Sequence, residues 1–216
     1  MTPLRLVLSA AVLALVACAA PSRETAQGCT VKRLAASPAS QSMLGDLGMP
    51  PGSLRDDEID TTADCLGRDL DAAFARVRDK AIDGKAWTAM SKGYRASEHG
   101  MFLQVYADAA AAPSYRQYEK GARMPEGATL LKRSFRVRAD GEAEAFRIFI
   151  MTRERPGYAP EANDWRFAVF QPDGSLIGET GGRGDANVRF CVACHHAAHA
   201  QDYLLFVPPR YRIDAR

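Results

Sequence analysis

The sequence predicts an α+β fold, a central antiparallel sheet with flanking helices, and three observations predict it. The runs ATLLKRSFRV (128–137), EAFRIFIMT (144–152) and DWRFAVFQ (164–171) are strand-like and are joined by turn signals at DG (140–141), RPG (155–157) and PDGS (172–175). An amphipathic period begins near Thr62, where Leu66, Leu70, Phe74, Val77 and Ala81 recur at spacings of three and four. The aromatic residues lie almost wholly after residue 73, which puts the organised core in the C-terminal two-thirds.

Taken in order, the chain opens with one basic residue, Arg5, and an apolar run from Leu6 to Ala17. That is a secretory signal peptide (1–17), too short for a permanent membrane span. The residues Leu15, Val16, Ala17 and Cys18 are similar to a bacterial lipobox, in which Cys18 is lipidated and becomes the new N-terminus; cleavage by an ordinary signal peptidase at a nearby small-residue site is the alternative. Either outcome places the mature protein outside the cytoplasm, in the periplasm. Lipidation would add a membrane anchor there. Residues 18–61 are rich in Ala, Ser, Pro, Gly and charge and read as a tether. Residues 62–98 form a helical segment, with the amphipathic helix over about 62–82, and the rest of the fold spans 99–212.

Within that last region, HGMFLQVYA (99–107) reads as a strand opened by His99, a residue type more often structural than ligating at such a place. PSYRQYEKG (113–121) reads as a short helix between Pro113 and Gly121, and PEG (125–127) as a turn. In the first of the three strand runs, Leu131, Phe135 and Val137 share a face opposite Leu130, Lys132, Ser134 and Arg136. In the second, Phe146, Ile148 and Ile150 oppose Arg147, Phe149 and Met151. Both faces carry apolar bulk, as expected of a sheet packed on helices on one side and on a planar cofactor on the other; helices on both faces are the alternative. Residues 187–199 read as a short helix, followed by the apolar DYLLFVPP (202–209).

The 28 Lys and Arg against 26 Asp and Glu give a net charge of +2 with the signs interspersed, which excludes the basic footprint of a nucleic-acid binder. The five cysteines divide cleanly. Cys18 belongs to the lipobox, Cys191 and Cys194 to a motif near the C-terminus, and Cys29 and Cys65 remain. In an oxidising compartment that last pair can form a disulfide tying the N-terminal arm to the domain, or persist as free thiols.

The motif is CVACH at 191–195. C-x-x-C-H attaches haem c: the thiols of Cys191 and Cys194, three apart on one turn, add to the two vinyl groups, and the imidazole of His195 reaches the iron. One covalent haem c is therefore expected. A zinc site built from Cys191, Cys194 and one or two of His195, His196 and His199 is the competing reading. A thioredoxin-like dithiol does not suit a motif that lies near the C-terminus behind a sheet. His196 and His199 read as exposed polar residues, with His199 or Met151 as candidates for a sixth iron ligand, whose occupation would point to an electron-transfer cytochrome c.

The ordered series HGMFLQVY, PEGATLLK, DW before a strand, and CVACH followed by DY and an aromatic run resembles the cytochrome P-460 family over about His99 to Arg212. The resemblance implies a mostly antiparallel sheet, a single haem c with His195 proximal, and often a homodimer. It also implies either oxidation of hydroxylamine or, as in the relatives called cytochrome c′-β, binding of nitric oxide without turnover. The expected partners are a small nitrogenous substrate or nitric oxide and a periplasmic electron acceptor. In the enzymes a lysine is cross-linked to the haem ring, and Lys132 falls at that place. A distal carboxylate is implied as base; the candidate is Asp185, with Glu179 behind it. A distal face lined only by Phe102, Phe149 or Phe170 would suit a neutral diatomic instead.

Overall fold

The computed structural model describes residues 28–31, 54–82, 84–97, 100–120 and 123–213. Residues 1–17 (read as a signal peptide), Cys18, most of the stretch 18–61 (read as a tether) and His99 lie outside them. Three long antiparallel strands make the centre: β5 (Thr129–Val137), β6 (Glu142–Arg153) and β7 (Trp165–Phe170). The sheet runs β2 (Trp87–Ala89), β4 (Phe102–Asp108), β5, β6, β7, β8 (Leu176–Glu179), while β3 (Arg95–Ala96) pairs with β4 and β1 (Cys29–Thr30) with β6. Every pairing is antiparallel. The fold is α+β, as the strand runs and turns require.

The N-terminal helical region holds two helices rather than one, α1 (Asp56–Cys65) and α2 (Gly67–Ala81), with Leu66 between them. The helix also begins six residues earlier than the apolar period suggests. Asp56, Asp57 and Glu58 fill its first turn, where acidic groups meet the positive end of the helix dipole. The Glu58 carboxylate accepts the Arg55 backbone N–H at 2.9 Å, closing a capping box. A disulfide joins Cys65 at the end of α1 to Cys29 of β1, with Cα atoms 5.9 Å apart.

Strand alternation divides the apolar side chains between two cores. On one face Ile59, Leu66 and Leu70 pack with Phe102, Phe135 and Val137, and Ala73 and Val77 pack with Leu131, Ile148 and Ile150. On the other face Leu103, Val105, Leu130, Met151, Phe167 and Val169 pack beneath Val188, Cys191, Leu204 and Val207 of the C-terminal segment. One face is therefore covered by helices and the other by the segment that carries the CVACH motif.

Candidate haem site

Helix α4 (Arg189–His196), the next α-helix in the chain after the short α3 (Ala112–Tyr115), carries Cys191, Cys194 and His195. A three-residue spacing puts both thiols on one side of the helix. With Lys132 of β5 they line a narrow cavity of about 30 Å³, walled by Leu103, Leu130, Phe149, Met151, Phe167 and Val169 among others. Leu103 and Lys132 are shared with a wider, more polar hollow of about 410 Å³. The hollow is in the range of cofactor sites, roughly 300–1,000 Å³; the narrow cavity by itself is not.

His195 is buried, and its Nδ1 lies 2.7 Å from the Tyr203 backbone carbonyl oxygen. A carbonyl only accepts, so Nδ1 carries the proton and Nε2 keeps its lone pair for a metal. The Phe167 ring meets the imidazole edge to face at 5.0 Å and fixes its orientation further. Burial pushes the Cys191 thiol up to about 11, opposed by the charge of Lys132, so the thiol is protonated at neutral pH. These features fit a haem c: two cysteine thiols and a metal-ready imidazole line one apolar cleft.

Zinc fits poorly. Among the described residues no three His, Cys, Asp or Glu side chains are grouped so as to hold a metal ion. His196 and His199 are exposed, and the His199 Nδ1 lies 3.2 Å from the His196 carbonyl oxygen.

Lys132 pairs in register with Val105 of β4 and Phe149 of β6, which turns all three toward the cavity side of the sheet. Asp185 opens a short 3₁₀ turn before α4 and does not line the cavity. Its carboxylate accepts the Gly181 N–H at 2.9 Å and the Arg189 Nε–H at 3.1 Å, and these bonds hold it below the usual carboxylate range. Glu179 of β8 pairs with Arg166 at 3.4 Å and is likewise not a lining residue. Of the three phenylalanines considered for the distal face, Phe149 lines the cavity. Phe102 stacks on Phe135 at 5.0 Å on the helical side, and Phe170 packs there with Ala73 and Val77. Phe167 and Phe190 line the cavity instead. For Phe167 the signal was present, because Trp165, Phe167 and Val169 alternate against Arg166, Ala168 and Phe170.

No curated protein matches the chain. The family model of Cytochrome P460 matches residues 83–206, more than half of its length. The match covers all the cavity-lining elements, and the chain belongs to the cytochrome P460 family of haem c proteins.

Proposed function

We propose that the protein is an exported mono-haem c protein, held by Cys191, Cys194 and His195, that takes nitric oxide at an open sixth position. The observation that carries this reading is the wall of the cavity. Leu103, Leu130, Phe149, Met151, Phe167 and Val169 are apolar, Lys132 is the cation on this wall, no carboxylate lines it, and Glu119 of the adjoining hollow is tied to Arg212. Such a surface suits a small neutral diatomic, whereas hydroxylamine oxidation needs a base to take protons as electrons leave.

The haem, when bound, supplies the iron that coordinates the ligand and exchanges the electron. The chain does the rest. Tyr203 holds the His195 proton at Nδ1, the apolar wall excludes water, and Lys132 presents its ammonium at the cavity edge. The lysine's place on that wall also supports a second reading, a Lys132 cross-link to the ring and hydroxylamine turnover with Asp185 as a more distant base. In either case the lipid anchor at Cys18 would keep the protein at the membrane, near a periplasmic electron acceptor.

Titration of the ferrous protein with nitric oxide, beside a hydroxylamine oxidation assay, tests the choice. Stoichiometric nitric oxide binding without hydroxylamine turnover is expected; sustained turnover would select the second reading.

A further inference from the structure

The loop behind His195 contains an arrangement that the haem motif does not explain. Asp202 is 6% exposed, and its carboxylate accepts three hydrogen bonds: from Met124 N–H at 2.9 Å, Arg153 Nη1 at 2.9 Å and Asn163 Nδ2 at 2.7 Å. Its backbone carbonyl accepts the indole N–H of the fully buried Trp165 at 2.9 Å. Four donors from separate parts of the chain thus converge on one residue. Asp202 and Tyr203 also both adopt left-handed backbone, at φ 55° and 62°, which side-chain-bearing residues hold only when surroundings impose it. The result of the turn is the direction of the Tyr203 carbonyl, the group on His195 Nδ1.

We propose that Asp202 is a positioning residue for the iron ligand: its anchored carboxylate forces the turn that aims the Tyr203 carbonyl at His195, and so sets the imidazole's orientation and donor strength. The proposal rests on the haem reading above. A strong acceptor on Nδ1–H makes Nε2 a better electron donor, which favours ferric over ferrous iron. Replacing the carboxylate with an amide puts an NH₂ among donors. The turn then loses anchoring bonds and relaxes out of its left-handed conformation, and the carbonyl withdraws from His195.

The test uses the haem-loaded protein with Asp202→Asn and Arg153→Met. The two substitutions remove opposite charges but the same anchoring bond, so electrostatics alone would move the iron in opposite directions. The proposal expects both to lower the ferrous iron–histidine stretching frequency in resonance Raman. It also expects both to shift the reduction equilibrium in the same direction, several-fold toward ferrous iron. Lower thermal stability with an unchanged stretch and equilibrium would make Asp202 merely structural and overturn the proposal, as would shifts of opposite sign. If Asp202→Asn does not fold, Asn163→Ala with Arg153→Met decides on the same readouts. Absence of covalent haem in the parent protein would instead defeat the haem reading, a result visible before any variant is made.

Discussion

The Nδ1 of His195 lies 2.7 Å from the carbonyl oxygen of Tyr203, eight residues further along the chain. A backbone acceptor at this distance settles the tautomer before any metal arrives. In the haem-free protein, ¹⁵N NMR should show a protonated Nδ1 and a bare Nε2 on His195. A protonated Nε2 would mean that the site is not prepared for a metal.

The Cys191 thiol gives the haem-free protein a pH signature. Below pH 9.0 the folded and unfolded chains both keep this proton, and stability does not depend on it. Between 9.0 and about 11 the unfolded chain releases the proton while the folded chain retains it. The unfolded state then binds fewer protons, so stability falls as pH rises. Urea titrations from pH 8 to 10 should show that fall, and Cys191→Ala should flatten it. The titrations stop at 10.0, the ordinary phenol value from which burial raises Tyr94 and Tyr115.

Breaking the Cys29–Cys65 bridge should weaken the fold without touching the cofactor. The bridge spans 36 residues, for which loop closure predicts up to about 4 kcal/mol. Cys29 packs with Ile59 and Phe135 on the helical side of the sheet, away from the cavity. Denaturant unfolding of Cys65→Ser should show the loss, and a haem stain of the same variant should be unchanged.

Strand alternation made the two faces of the sheet legible, and with them Lys132, Phe149 and Met151 on the cavity side. The CVACH motif stood out because thioether and iron chemistry require adjacent residues. Strands β2, β3 and β8 span only 3, 2 and 4 residues, too few to show a period. The break at Leu66 lies inside a continuous apolar stripe, so two helices read as one. The role of Tyr203 is carried by its backbone and leaves no side-chain signature. Asp202 stood in the DY that follows the motif, yet its partners Met124, Arg153 and Asn163 come from loops and strand ends that only the fold brings together.

Phe149 bears directly on ligand access. It is half-buried and lines the cavity in register with Lys132. Phe149→Ala should widen the cavity and speed nitric oxide association several-fold in flash photolysis. The stability cost should be below the roughly 3–5 kcal/mol of a fully buried phenylalanine. Unchanged association would place the ligand on another side of the haem.

The central claim is covalent haem at Cys191 and Cys194, and intact-mass spectrometry of protein made with a haem c maturation system tests it most directly. One haem mass added per chain is expected, surviving acid–acetone extraction and lost when both Cys191 and Cys194 are replaced by Ala. A chain at its bare mass under those conditions would contradict it.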